Sequence, residues 1–234
     1  MPSALITGAS RGLGLALARA LALRDWDLVI DARGAADLYG AVDELGASPR
    51  IGAVPGDVGD AAHREELAHA VRQHAGLDLL VNNASDLGPS PQPTLDRYPM
   101  DELERVFRVN TFAPVGIVQL LLPELTASAG IVVNVTSDAA AEAYEGWGGY
   151  GSSKAALDQV TAILAAEQPA LSVYAFDPGD MRTDMQQKAF PGEDISDRPP
   201  PETVVPALLR LIDERPPSGR YRSDDLLAGA GKTT

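Results

Sequence analysis

The 234 residues contain no cysteine, which excludes disulfides, thiol nucleophiles and cysteine-ligated zinc or iron–sulfur centres. Positive charge is scarce. Nineteen Lys and Arg stand against 33 Asp and Glu, and the formal net charge of -14 repels phosphate backbones and anionic membrane surfaces, so neither nucleic acid nor membrane is an expected partner. No uninterrupted apolar run approaches the ~20 residues of a membrane span, and no basic segment precedes an apolar stretch at the start, so a cytoplasmic protein is expected. Histidine is rare too. His63, His69 and His74 share one expected helix at spacings of six and five, whereas zinc-binding pairs on a helix need three or four; no metal site is expected, and all three read as surface residues. What is left, 45% apolar and 22% charged, is an ordinary globular composition, and no repeat, charge block or linker divides residues 1–234 into more than one domain.

Short β-rich apolar runs alternate with segments of helical period, the pattern of βαβ units around a parallel sheet. Strands are expected at 3–7, 27–32, 50–54, 77–82, 131–135 and 171–176, with a short seventh at 219–222. Helices are expected at 12–24, 35–45, 60–75, 101–122 with a bend at Pro114, 149–167 and 203–213. Residues 85–99, with four prolines, read as a loop.

Between the first strand and the first helix stands Thr7-Gly8-Ala9-Ser10-Arg11-Gly12-Leu13-Gly14. Glycines there permit a tight turn and a close approach of backbone to a pyrophosphate, with the helix N-terminus supplying amide donors. The same glycines would also serve a plain tight connection. Further on, Tyr150 and Lys154 lie four apart on one helix face, thirteen positions after Ser137 at the end of the fifth strand. A phenol near pKa 10 handles protons at neutral pH only if a neighbouring cation favours its ionised form, and Lys154 is positioned for that. A solvated helix face would show the same spacing. Asn110 interrupts an apolar helix, and Asn82-Asn83-Ala84 closes the fourth strand at the carboxyl edge of the sheet, where ligands bind in folds of this kind.

Taken together and in order, these motifs resemble those of the short-chain dehydrogenases/reductases of the one-domain type, over about 3–183. The resemblance implies a Rossmann-like, doubly wound parallel sheet of about seven strands with helices on both faces. It also implies a carbonyl/alcohol oxidoreductase working mainly as a reductase, with Tyr150 exchanging the proton, Ser137 orienting the substrate oxygen, Lys154 holding the nicotinamide ribose and Asn110 anchoring a relay water. The cofactor-binding set it implies is Gly8, Ser10, Arg11, Gly12, Leu13 and Gly14 of the turn, Asp57 and Val58 at the adenine, Asn83, Ala84, Tyr150, Lys154, the Pro178-Gly179 turn, and Thr183 at the carboxamide. A catalytically silent dinucleotide sensor, or a dehydratase or epimerase, would use the same scaffold. One departure stands out: the family usually follows Asn-Asn-Ala with glycine, and here Ser85 occupies that position.

NADP(H) is expected over NAD(H), which remains usable. NAD-preferring members place an acid where the second strand ends; here that position is Ala32 followed by Arg33, and Asp31 falls one residue early, on the other side of the strand. Arg33 and Arg11 are then available to a 2′-phosphate. Residues 181–201, rich in proline, are expected to form a substrate lid. Tyr144, Trp147, Met181, Met185 and Phe190 are candidates for a substrate wall. The helix over 112–122 is apolar nearly all round and predicts a homodimer or homotetramer.

Overall fold

The computed structural model describes residues 1–229 apart from 47, 49 and 75. Seven strands form one parallel sheet: β1 (Ser3–Ile6), β2 (Asp27–Ala32), β3 (Ile51–Pro55), β4 (Leu79–Asn82), β5 (Ile131–Val135), β6 (Ser172–Asp177) and β7 (Gly219–Arg222). Their order is β3-β2-β1-β4-β5-β6-β7, so the winding reverses between β1 and β4 and opens a crevice at the carboxyl ends of those strands. This is a single-domain Rossmann-like fold. Ile6 is the register mark, lying opposite Ile30 on one side and Val81 on the other.

Alternation along each strand feeds two cores. Ala4, Ile6, Leu28, Ile30 and Val133 join Leu17 and Leu21 of α1 (Gly12–Ala22), Leu38 of α2 (Ala35–Glu44) and Leu208 of a later helix on one face of the sheet. Leu5, Val29, Leu80 and Val132 face the opposite side, against Leu67 and Val71 of α3 (Ala61–Val71). Both faces of each central strand are covered, which is why these strands read as nearly continuous apolar runs.

The long helix departs most from expectation. It is already helical at Met100, as α4 (Met100–Phe107), widens into a π-helical segment at Arg108–Phe112, and continues as α5 (Ala113–Ala127) beyond Pro123. Proline removes one backbone donor, yet Leu121 and Leu125 on either side are fully buried, and their packing outweighs the lost bond. By length and a mean hydropathy of 1.4 the stretch Met100–Ala127 would suit a membrane span; half of its most apolar window is buried in the fold. The helix expected over 60–75 ends at Val71, with Asp60 as its cap accepting from the Ala62 amide at 3.0 Å; Ala75 lies outside the described residues. Next come α6 (Gly148–Glu167), a short α7 (Asp184–Ala189) inside the expected lid, α8 (Val205–Glu214) and α9 (Ser223–Gly229). Neither α7 nor α9 is evident in the periodicity, because six or seven residues hold fewer than two turns of pattern.

Candidate active site

At the turn after β1, Gly8 and Gly12 take left-handed backbone angles, φ +65° and +58°, which only glycine adopts without strain. Gly14 is required for a different reason: a Cβ there would sit 2.5 Å from the Gly8 carbonyl oxygen and 2.6 Å from Asn83 Nδ2. Asn83 locks the turn from across the crevice by donating to the Thr7 and Gly8 carbonyls at 2.8 and 3.0 Å. The Thr7 hydroxyl in turn accepts from the Asn83 and Ala84 amides, both at 3.0 Å. Arg11, the N-cap of α1, is extended and caps no amide with its side chain, so the first N–H groups of the helix remain available to an anion.

Beneath the turn lies a pair the histidine spacing did not suggest. Asp31 sits with Val29 on the α3 side of β2, and its carboxylate accepts from the Gly8 amide at 2.7 Å and meets His63 Nε2 at 3.0 Å. His63 is buried, which corrects the reading of all three histidines as surface groups; His69 is exposed and His74 half-buried. The wrong reading came from α3's acidic, polar sequence, which hid that the Asp31 carboxylate needs a partner inside the fold. Burial works against a charged His63, but its hydrogen bond to Asp31 and the Glu66 carboxylate 3.6 Å from Nδ1 carry its pKa above the ordinary value.

A continuous cleft of about 520 Å³ runs from this turn to the ends of β5 and β6. Tyr150, Ser137 and Lys154 line it, and Lys154 is buried with its ammonium donating to the Val135 carbonyl at 2.7 Å and lying 5.6 Å from the centre of the Tyr150 ring. Burial pushes the Tyr150 phenol up to about 12, with the nearby Ser85 and Ser137 side chains pulling in the other direction. Burial also brings Lys154 down to about 8. The Ser137 hydroxyl donates to Asp138 Oδ1 at 2.8 Å.

The π-helical segment explains Asn110. Its widened turn holds the side chain inside the fold, donating to the Asp86 carbonyl at 2.8 Å and the Ser153 hydroxyl at 2.9 Å while accepting from the Asp86 amide at 2.7 Å. Ser153 thereby connects Asn110 to the helix turn of Tyr150, whose carbonyl it bonds at 2.7 Å.

The outer rim is aromatic. Trp147 packs edge-on to Tyr150 at 5.8 Å and meets Tyr144 and Phe190 at 6.2 and 6.0 Å. Met185 packs into the small cluster of Leu87, Ala139 and Tyr150, whereas Met181 packs against the core under α1 and α8.

The family model for short chain dehydrogenases matches residues 2–194. The chain belongs to that family. It is 36% identical over 232 residues to benzil reductase ((S)-benzoin forming) of Saccharomyces cerevisiae, covering 95% of this chain and 84% of the yeast protein. Identity to sepiapterin reductase of Bos taurus is 35% over 199 residues, 79% of this chain and 74% of the bovine one. Among solved structures, alcohol dehydrogenase from the archaeon Thermococcus sibiricus, complexed with 5-hydroxy-NADP, superposes with a TM-score of 0.84 at 26% identity over 95% of both chains. This short-chain dehydrogenase is thus an oxidoreductase of a family that acts on carbonyl and alcohol groups and binds a nicotinamide dinucleotide.

Every residue of the expected catalytic and cofactor-binding set borders one cleft or stands behind it. Gly8, Ser10, Arg11, Gly12, Leu13, Arg33, Asp57, Val58, Asn83, Ala84, Pro178, Gly179 and Thr183 line it with the Ser137, Tyr150 and Lys154 group, while Gly14 and Asn110 stand behind. Thr183 caps α7, accepting from the Gln186 amide at 3.2 Å, and Arg11 pairs with Asp184 at 3.4 Å on the surface. Two contributors escape sequence reasoning. Asp138 engages the Ser137 hydroxyl, and Arg220 of β7 donates to the Ser137 carbonyl at 2.9 Å, to Asp177 at 3.0 Å and to Asp158 at 3.0 Å, tying the ends of β5 and β6 to α6. Arg220 lies 83 positions from Ser137, a distance no local pattern bridges.

Proposed function

We propose that this dehydrogenase reduces a ketone or aldehyde with NADPH, with Ser137, Tyr150, Lys154 and Asn110 as its catalytic set. The observation that carries the reading is the buried phenol: in the cleft Tyr150 is held protonated, as a proton donor must be, with a hydroxyl and an ammonium close by. The cradle fits the dinucleotide, since a Cβ at Gly8 would lie 2.8 Å from Ala84 Cα and the free α1 amides face the same space. Gly12, Leu13 and Gly14 would hold the pyrophosphate, Asp57 and Val58 the adenine, and Lys154 and Thr183 the nicotinamide end. When bound, the reduced dinucleotide supplies a hydride to the carbonyl carbon. Tyr150 then gives its phenolic proton to the substrate oxygen, Ser137 turns its hydroxyl from Asp138 to that oxygen, and the Lys154 ammonium stabilises the charge left on the phenol.

Preference for NADP(H) is supported by the state of Asp31. Both carboxylate oxygens are engaged, one by Gly8 and one by His63, so this acid is not free to accept from ribose hydroxyls, while Arg33 is exposed at the cleft and makes no ion pair among the described residues. The aromatic rim of Trp147, Tyr144 and Phe190 favours a substrate with an apolar or aromatic flank, over which residues 181–201 would close. A cytoplasmic homodimer or homotetramer belongs to the same proposal, with the exposed Phe112 and Ile163 near its contact faces; light scattering at micromolar concentration checks it, a monomeric mass being the contrary result.

The test is NADPH oxidation across aldehydes, ketones, quinones and keto-esters, in wild type and in Tyr150→Phe. Turnover that falls ~100- to 10,000-fold in the variant while NADPH still binds is the expected result; wild type that binds NADPH and reduces none of the panel contradicts it.

A further inference from the structure

Three parts of the site come from three elements: Ser137 follows β5, Tyr150 and Lys154 stand on α6, and the Pro178-Gly179 turn follows β6. One guanidinium joins them. Arg220 of β7 donates through Nη2 to the Ser137 carbonyl at 2.9 Å and to Asp177 Oδ2 at 3.0 Å, and through Nε to Asp158 Oδ2 at 3.0 Å. Each acceptor belongs to the frame of the site. Asp158 lies one further helix turn beyond Lys154, on the face of α6 that carries Tyr150 and Lys154. Asp177 is buried, and its other oxygen accepts from the amide of Gly179 at 3.0 Å, where the chain turns at φ +71°. A guanidinium serves three acceptors at fixed angles, whereas a lysine ammonium is a point charge on a flexible stem.

We propose that Arg220 is a positioning residue of the reaction, one guanidinium that fixes the Ser137 backbone, the Tyr150–Lys154 face of α6 and the Pro178-Gly179 turn at a single spacing. This rests on the carbonyl-reductase reading and deepens it. Reduction delivers a hydride to the carbon and a proton to the oxygen of one carbonyl, so the phenol, the serine hydroxyl and the nicotinamide end must keep their separation to a fraction of an ångström. Arg220 touches none of the reacting atoms and acts through the groups that do. It also sets their charge. Asp158 on α6, Asp138 after β5 and Asp177 on β6 are the carboxylates around Tyr150 and Lys154, and Arg220 engages two of them. Burial lowers the Lys154 pKa and the charge of Asp158 opposes that fall, so losing the guanidinium beside Asp158 should shift Lys154 upward. The turn does not depend on Arg220 for its existence, because the Ser223 hydroxyl also holds the Pro178 carbonyl at 2.8 Å and Arg222 lies 3.8 Å from Asp177.

Arg220→Gln and Arg220→Lys decide the matter through two readouts, each taken well below the variant's own melting temperature. In turnover, Arg220→Gln is expected to lower kcat about ten- to hundredfold while KM for NADPH stays within about threefold of wild type. Independently of any substrate, the 13Cε resonance of Lys154 is followed against pH; the chain has three lysines, and this signal is the one missing from Lys154→Met. It should titrate about half a unit or more higher in Arg220→Gln than in wild type. Arg220→Lys restores the charge without the fork, so its Lys154 should titrate as in wild type while kcat remains about tenfold low. A kcat in Arg220→Gln within threefold of wild type overturns the proposal, as does an unmoved titration there, and full activity in Arg220→Lys would show that charge without geometry suffices. If no carbonyl is reduced yet the titration rises, the reductase reading fails and the place of Arg220 against α6 stands.

Discussion

At the turn after β1, each polar contact joins backbone to one fixed partner: Asn83 to two carbonyls, Thr7 to two amides, Asp31 to the Gly8 amide. At the other end of the cleft hydroxyls donate to side chains rather than to backbone, Ser137 to Asp138 and Ser85 to Asn110. The first arrangement suits a site that grips the constant part of a ligand. The second suits a site whose hydrogen bonds must be remade during each turnover. Rigidity and exchangeability are therefore divided along one cleft.

The largest expected effect tests the rigid end. Gly14→Ala places a methyl against backbone that has nowhere to go, and should cost about 3 kcal/mol, a fall in Tm of roughly 6–12 °C, with loss of dinucleotide affinity. Gly192→Ala, in the expected lid, has φ +84° but nothing within 4 Å, and should cost only about 1 kcal/mol. Thermal melts of the two variants compare the ends directly; equal losses would break the contrast. Next comes Arg33→Ala, expected to lower the NADPH-over-NADH ratio of kcat/KM by about ten- to hundredfold. A wild-type preference for NADH, abolished by Asp31→Ala, would reverse the assignment.

The pH profile sharpens the exchangeable end. Lys154, near 8, carries its charge at neutral pH and loses it as pH rises through that value, while the phenol near 12 stays protonated. Reduction should accordingly fall severalfold above pH 8 through loss of the ammonium, and Lys154→Met should be slow at all pH values and lack that limb. A flat wild-type profile to pH 10 would contradict it. The smallest effect is expected from Asp184→Ala, which removes an exposed ion pair worth at most ~0.5 kcal/mol; stability should be unchanged within error, and KM for NADPH should move by no more than about twofold.

The sheet, its alternation with helices, the glycine turn and the Tyr150–Lys154 helix face were legible because each is written in local chemistry: a period of two, a period of 3.6, a φ only glycine adopts, a four-residue spacing. The paired Asp31–His63 was not, since 32 positions separate the partners and α3 looks solvated throughout. Nor was the widened turn at Asn110, which arises where a helix is pulled out of its regular bonds by polar partners on a different loop and helix. The sequence by itself determined which residue types stood ready for proton transfer and dinucleotide binding. Only the tertiary structure decided which carboxylate is already taken and which arginine braces Ser137, because a hydrogen bond depends on distance and competition among neighbours, and those exist only once the chain has folded.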